Sequence, residues 1–219
     1  MATFDRRIVQ PSTLRFLQAC HVRTPFHLAG GAALAGVHLR HRLSRDADLF
    51  FHDRQVHRDA VALLPEAAAE AGATVRVVRD AGTFVRGVLA GVDGEVDIDL
   101  VFDAVADVGG PDCVEGVQVE SLADLRANKL TCVLSRSEPR DLVDLLFLDR
   151  AGYPPEADLS LALSKDGSID PGVLAWLLGQ FPVEPLPQML EPLPSGELEM
   201  FRDTLAERLR RLAVPDAQD

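Results

Sequence analysis

The sequence predicts an α+β fold, with a mixed sheet in the first 120 residues and helices in the remainder. Three strand-like runs with alternating apolar residues lie between residues 74 and 102, and Asp93-Gly94 is typical of a hairpin turn between the last two. From Ser121 onward the spacing of apolar residues becomes helical. We therefore predict an α/β unit over residues 1–120 and a helical region over residues 121–219.

Turn residues set the boundaries of the predicted elements. Pro11 weakly interrupts the first helix, and Gly30-Gly31 separates the first strand from the second helix. The elements predicted before residue 121 are helices at 3–20, 32–39 and 54–71 and strands at 26–29, 46–51, 74–78, 83–89, 95–102 and 117–120. The later helices are predicted at 122–135, 139–151, 156–164, 171–180 and 196–212, with an irregular proline-rich connector at 181–194.

The composition and net charge argue against several classes of protein. The formal net charge is −12 at pH 7, which argues against a protein that coats nucleic acid but leaves room for an enzyme with a local basic patch. The three cysteines form no CxxC pair, so neither a disulfide framework nor a zinc knuckle is supported. Asp5, Arg6 and Arg7 are followed by polar residues, and no apolar run reaches about 20 residues, so we expect neither a signal peptide nor a membrane helix. We expect a soluble protein of the reducing cytoplasm, with no membrane contact.

The pair Gly30-Gly31 is the first candidate for a binding site. It stands between a predicted strand and a predicted helix, where glycines let backbone N–H groups approach a phosphate closely. Taken alone, however, the pair favours a plain tight turn.

Two aspartates follow in the next predicted strand. Asp46 and Asp48 are two residues apart, so both side chains point to the same face of the strand. Adjacent carboxylates repel each other unless a cation or a shared proton lies between them, and a divalent metal that prefers oxygen is the simplest partner. The alternative is an exposed strand end whose acids face solvent.

The strand at 95–102 adds further carboxylates. Its apolar residues face one way, whereas Glu95, Asp97, Asp99 and the following Asp103 face the other. That acidic face is either solvated or lies beside Asp46 and Asp48 around metal ions. In the second case, three carboxylates from two neighbouring strands match a two-metal site for phosphoryl transfer.

Lys129 lies within the apolar stripe of the helix predicted at 122–135. A lysine there needs a partner for its charge, such as the carboxylate cluster or a triphosphate, unless its side chain extends to the surface. In the next helix Asp141 and Asp144 share a face, and Arg140 can pair with Asp144. Taken alone, the spacing of these charged residues predicts a solvated ion pair on a surface helix.

Together these segments resemble the AbiEii/AbiGii-type nucleotidyltransferases, which are toxins of the polymerase-beta-like superfamily. The resemblance covers residues 26–150, although Ala32 stands where relatives often have a small hydroxyl residue. The segments that carry it are Leu28-Ala29-Gly30-Gly31-Ala32-Ala33-Leu34, His41 to Phe50, Ile98-Asp99-Leu100-Val101, Leu122 to Leu130, Ser135-Arg136 and Pro139 to Leu145.

The resemblance implies a nucleotidyltransferase fold and assigns roles to the candidate residues. The metal, Mg²⁺ or Mn²⁺, would bind Asp46, Asp48 and a third acid, which is Asp99 or, as the fallback, Asp97. Lys129 would contact phosphate or stabilise charge on the transferred group. The triphosphate would lie on Gly30 and Gly31, with Arg42, Ser44, Asp141 and Asp144 in support.

The implied activity is transfer of a nucleoside monophosphate from an NTP to a hydroxyl on an RNA or tRNA end or on a protein. In such a family this activity implies a growth-inhibiting toxin that a cognate antitoxin restrains. One alternative is a catalytically weak module that binds a nucleotide or a partner. Another is an unrelated acidic protein in which the spacings are coincidental, and a separation of more than about 8 Å between Asp48 and Asp99 would support it.

Overall fold

The computed structural model describes residues 2–214. They fall into two compact units, residues 2–122 and residues 123–214. Within the described residues, no helix has the length and hydrophobicity that a membrane span requires.

The first unit contains a mixed sheet, as predicted, and the sheet has seven strands where six were predicted. Its strand order is β3-β4-β5-β2-β1-β7-β6, with β2 parallel to β5, β1 parallel to β7 and the other neighbours antiparallel. The strands are β1 (His27–Ala29), β2 (Asp46–Phe51), β3 (Thr74–Asp80), β4 (Phe84–Gly91), β5 (Gly94–Phe102), β6 (Asp112–Val114) and β7 (Val117–Val119). The three-residue strand β6 was not predicted, because so short a run shows no clear alternation.

Three helices belong to this unit: α1 (Pro11–Arg23), α2 (Gly30–Ala33), which continues as a π-helix over Leu34–Leu39, and α3 (Arg54–Glu70). The prediction that the first helix starts near residue 3 was wrong. The helix begins at Pro11 because proline, which has no N–H, suits the first helical position, where that group has no partner within the helix.

Helix α3 covers the apolar face of the central strands. Alternate residues of β2, Ala47, Leu49 and Phe51, are buried, and the ring of His57 from α3 meets Phe51 edge-on at 5.5 Å between ring centroids. Because side chains alternate along a strand, Asp46 and Asp48 point to the opposite face. The fold therefore separates a packed apolar face from the acidic face that carries the candidate site.

Helices dominate the second unit, as predicted. They are α4 (Leu122–Ser135), α5 (Pro139–Arg150), a 3₁₀ helix (Pro155–Asp158), α6 (Leu159–Lys165), α7 (Pro171–Leu178) and α8 (Glu197–Ala213). Helix α8 packs against α5 and α7. A buried ion pair, in which Lys165 Nζ lies 2.6 Å from Asp124 Oδ1, joins α6 to α4.

Candidate active site

The register between β2 and β5 aligns four aspartates on one face of the sheet. Asp46 pairs with Asp97, and Asp48 pairs with Asp99. Neighbouring strands are about 4.8 Å apart, and paired residues on parallel strands point to the same face. The carboxylates therefore lie side by side, and the pairing of Asp48 with Asp99 gives no support to the alternative of an unrelated acidic protein.

The Gly30-Gly31 turn lies directly against these carboxylates. Gly30 has a positive φ of 61°, and a Cβ at this position would lie 1.9 Å from Asp48 Oδ2. A Cβ at Gly31 would lie 2.5 Å from Ser44 Oγ. Both positions therefore need glycine, because any larger residue would displace Asp48 or Ser44. The turn is more than a tight connection between β1 and α2, since it forms one wall of the acidic site.

Ser44 and Arg42 complete that wall. Ser44 Oγ donates a hydrogen bond of 2.9 Å to Asp46 Oδ1, which orients the carboxylate. Arg42 is buried, and its Nη1 donates to the carbonyl oxygen of Leu43 at 2.9 Å. A Cβ at Gly31 would lie 3.0 Å from Arg42 Nη2, so the guanidinium reaches the glycine turn and adds positive charge there.

Arg86 on β4 supplies a cation that was not predicted from the sequence. Its Nε donates to Asp99 Oδ1 at 2.7 Å and its Nη2 to Asp99 Oδ2 at 2.5 Å, a bidentate pair. The hydrogen bonds to Asp99 raise the pKa of Arg86, with further contributions from the charges of Asp99, Asp97 and Asp46 that together outweigh its partial burial. The guanidinium therefore offsets part of the repulsion among the carboxylates.

The second unit contains a separate buried cluster around Lys129. Its Nζ lies 2.9 Å from Asp141 Oδ1 and 2.6 Å from Asp144 Oδ2. Arg136 also binds Asp141, with Nε 2.8 Å from Oδ2. Lys129 thus has two acidic partners within its own unit.

This arrangement corrects the expectation of a solvated ion pair on a surface helix. Asp141 and Asp144 are both fully buried on α5, and Asp144 binds Lys129. Burial raises the pKa of Asp141, but the charge of Lys129 and the hydrogen bond and charge of Arg136 outweigh that effect, so the net pKa is below the ordinary value of 3.8. Asp141 is therefore a buried carboxylate that its neighbours keep ionised.

The structure accordingly groups the predicted site residues into two clusters, one in each unit. The first holds Gly30, Gly31, Arg42, Ser44, Asp46, Asp48, Asp97 and Asp99, and the second holds Lys129, Asp141 and Asp144.

Solved structures with the same architecture include two that are described as nucleotidyltransferases. A candidate nucleotidyltransferase from Helicobacter pylori has a TM-score of 0.56 at 22% identity, covering 91% of this chain and 92% of its own. MenT4, a nucleotidyltransferase toxin from Mycobacterium tuberculosis H37Rv, has a TM-score of 0.56 at 16% identity, covering 95% and 89%. JHP933 from Helicobacter pylori has a TM-score of 0.55 at 17% identity, covering 96% and 95%. At these identities the likeness establishes the nucleotidyltransferase fold.

The sequence establishes the family. The family model described as the nucleotidyl transferase AbiEii toxin of a type IV toxin–antitoxin system matches residues 15–216. The chain therefore belongs to the AbiEii nucleotidyltransferase toxins, and the match extends well beyond the residues 26–150 that carried the resemblance. A search of curated proteins gave no match.

The contact between Gly30 and Asp48 gives a first prediction. We expect Gly30→Ala to lower nucleotidyltransferase activity by about a hundredfold, because the new methyl group displaces the Asp48 carboxylate. Gly72→Ala is the matched control: Gly72 also has a positive φ, 71°, but a Cβ there meets nothing within 4 Å. Both variants should lose about 1 kcal/mol of stability from the strained backbone. Equal activity in the two variants would contradict the close approach of the turn to Asp48.

The buried cluster gives a second prediction. We expect Asp141→Asn to destabilise the protein by about 3–5 kcal/mol at neutral pH, because the change removes a buried charge that Lys129 and Arg136 require. The measurement is urea unfolding followed by fluorescence, since the only tryptophan, Trp176, lies on α7 in the same unit.

The control is Asp149→Asn, which removes a part-exposed partner of Arg208 and should cost about 1 kcal/mol or less. The pKa of Asp141 is depressed in the folded state, so its contribution is present above its ordinary value of 3.8 and is lost as pH falls through the lower folded value. The stability gap between wild type and Asp141→Asn should therefore persist down to about pH 4 and narrow below it. A gap that closes at neutral pH would contradict this account.

Proposed function

We propose that this toxin binds an NTP with Mg²⁺ (or Mn²⁺) and transfers the nucleoside monophosphate to a hydroxyl group. The observation that carries the proposal is the register that sets Asp46 and Asp48 beside Asp97 and Asp99, with the Gly30-Gly31 turn against them. A glycine turn at the start of a helix, beside clustered carboxylates, would join a phosphate site to a metal site.

The residues fit a divalent metal. Asp46, Asp48 and Asp99 offer carboxylate oxygens from two adjacent strands, and Mg²⁺ prefers oxygen ligands. Asp97 is the alternative third ligand, since it pairs with Asp46 on the same face. A bound metal would lower the pKa of the attacking hydroxyl and neutralise charge on the departing pyrophosphate.

The neighbouring residues have supporting roles in the proposal. Gly30 and Gly31 present backbone N–H groups to the triphosphate at the start of α2, and Arg42 adds positive charge beside them. Ser44 holds Asp46 through its hydrogen bond. A cleft of about 480 Å³, lined partly by Ser44 and Asp97, opens next to the acidic face and has a volume typical of small-molecule sites.

We assign Lys129 to phosphate binding, with Asp141 and Asp144 as the residues that position it. Two carboxylates at 2.9 and 2.6 Å hold its ammonium group in one place. A fixed positive charge is what stabilisation of a transferring phosphoryl group requires.

The acceptor we propose is a hydroxyl on an RNA or tRNA end or on a protein, in the cytoplasm. The net charge of −12 disfavours a broad nucleic-acid surface, so an RNA acceptor would be held near its end. Membership of a type IV toxin–antitoxin family supports a cognate antitoxin as partner.

One observation favours a second candidate, a nucleotide-binding module with weak or no catalysis. Arg86 already occupies both oxygens of Asp99, so that carboxylate can bind a metal only if the guanidinium moves or shares it. A module that keeps Arg86 in place would bind the nucleotide without transferring it.

The decisive experiment measures label transfer from NTPs labelled at the α-phosphate to total RNA and to cell protein in the presence of Mg²⁺. We expect transfer by the wild type and a loss of about a thousandfold in Asp46→Asn, because metal stabilisation of the transition state contributes several kcal/mol. Asp99→Asn and Asp97→Asn form a matched pair, and the larger loss identifies the third ligand. Equal transfer by wild type and Asp46→Asn would refute the proposal, whereas tight NTP binding without transfer would support the module.

Arg86 gives a separate prediction about metal affinity. We expect Arg86→Gln to bind Mg²⁺ or Mn²⁺ about tenfold more tightly, because it removes a cation that competes for Asp99. The control is Arg79→Gln on β3, whose guanidinium lies over the ring of Phe84. Calorimetric titration with Mn²⁺ makes the measurement. Unchanged or weaker metal binding in Arg86→Gln would show that Arg86 does not compete with the metal.

A further inference from the structure

Two histidines and an aspartate from distant parts of the first unit converge at one point. His27 lies at the start of β1, His52 directly follows β2, and Asp107 lies in the irregular segment between β5 and β6. Each contributes one ligand atom, and these atoms all lie within 4.8 Å of one another. His27 Nδ1 is 2.7 Å from Asp107 Oδ2, and His52 Nε2 is 3.2 Å from Asp107 Oδ1.

The hydrogen bond made by His52 Nδ1 determines which ring nitrogen can bind a cation. This Nδ1 lies 3.0 Å from the carbonyl oxygen of Asp103. A carbonyl oxygen only accepts hydrogen bonds, so Nδ1 carries the proton and donates. In neutral His52 the lone pair of Nε2 then faces the Asp107 carboxylate. This lone pair and the carboxylate oxygen are both acceptors, and at 3.2 Å they repel each other unless a cation lies between them or the ring takes a second proton.

His27 points to the same conclusion. Its Nδ1 is inaccessible to solvent and makes no hydrogen bond with any described residue, although Asp107 Oδ2 is only 2.7 Å away. The close oxygen is therefore not in line with an N–H group. A buried imidazole nitrogen close to a carboxylate, but not bonded to it through a proton, has the environment of a metal ligand.

We propose that His27, His52 and Asp107 form a second metal site, which binds Zn²⁺ or a similar transition-metal ion. Two imidazole nitrogens and one carboxylate oxygen are a frequent set of protein ligands for Zn²⁺, with a water in the fourth position. The hydrogen bond from His52 Nδ1 to the Asp103 carbonyl orients the ring, and zinc-binding histidines usually make such a contact through the nitrogen that does not bind the metal. The imidazoles select against Mg²⁺, which prefers oxygen ligands.

This site is distinct from the carboxylates of the proposed nucleotidyltransferase centre. His52 comes four residues after Asp48, which corresponds to about 13 Å along an extended chain. The bound ion would join β1, the end of β2 and the segment that follows β5. Its effect would be to stabilise the sheet, and the inference does not depend on transferase activity.

The test is calorimetric titration of the metal-stripped protein with Zn²⁺ in the presence of saturating Mg²⁺. We expect one Zn²⁺ per chain and an increase in Tm of about 5–10 °C at a hundredfold excess over Kd. His27→Gln, His52→Gln and Asp107→Asn should each weaken binding by more than about tenfold. His38→Gln, which changes a half-buried histidine on the π-helix, is the matched control and should bind as the wild type does.

Two further measurements separate this site from other zinc ligands. The double variant Asp46→Asn/Asp48→Asn should still bind Zn²⁺. Loss of Zn²⁺ binding in this variant would overturn the proposal, because it would show that the carboxylates hold the ion. In the unmodified protein, ¹⁵N NMR of the histidine rings should show Zn²⁺-induced shifts at His52 Nε2 and His27 Nδ1, with His38 unchanged. Absence of these shifts, or full binding by His52→Gln, would also overturn the proposal.

Discussion

The parallel pairing of β2 with β5 is the constraint on which the rest of the site depends. It places Asp46 beside Asp97 and Asp48 beside Asp99, so four carboxylates share one face of the sheet. Such a face is costly unless positive charge and hydrogen-bond donors compensate for it. Ser44 donates to Asp46, and Arg86 forms a bidentate pair with Asp99. The hydrophobic packing on the opposite face, where α3 covers β2, fixes the register that concentrates this charge.

The sequence was sufficient to predict most of the helices and strands, including the two strands that carry the aspartates of the acidic face. Alternation along residues 46–51 and 95–102 predicted which side chains share a face, and the structure confirms strands there. The π-helix over Leu34–Leu39 could not be predicted, because its apolar spacing is compatible with an ordinary α-helix. Arg86 was missed for a similar reason: a single arginine in a strand is usually solvated, and only the register with Asp99 reveals its partner.

In the helical unit, too, the sequence alone did not show which residues become partners when the helices pack. The position of Lys129 in an apolar stripe correctly indicated a need for a partner, yet the identity of that partner depends on how α4 and α5 pack. Asp141 and Asp144 were expected on a solvated face, and both are buried against the lysine. The periodicity of a single helix shows which residues share a face, but it does not show which face is buried when charged and apolar residues are mixed.

The most direct test of the central claim is a crystal structure with Mg²⁺ and a non-hydrolysable NTP. We expect a metal ion bound by Asp46, Asp48 and an acid of β5, the triphosphate on the Gly30-Gly31 turn, and Arg86 displaced from at least one oxygen of Asp99. A structure in which the nucleotide binds elsewhere, or in which Arg86 keeps both oxygens of Asp99 and no metal contacts Asp46 and Asp48, would contradict the central claim.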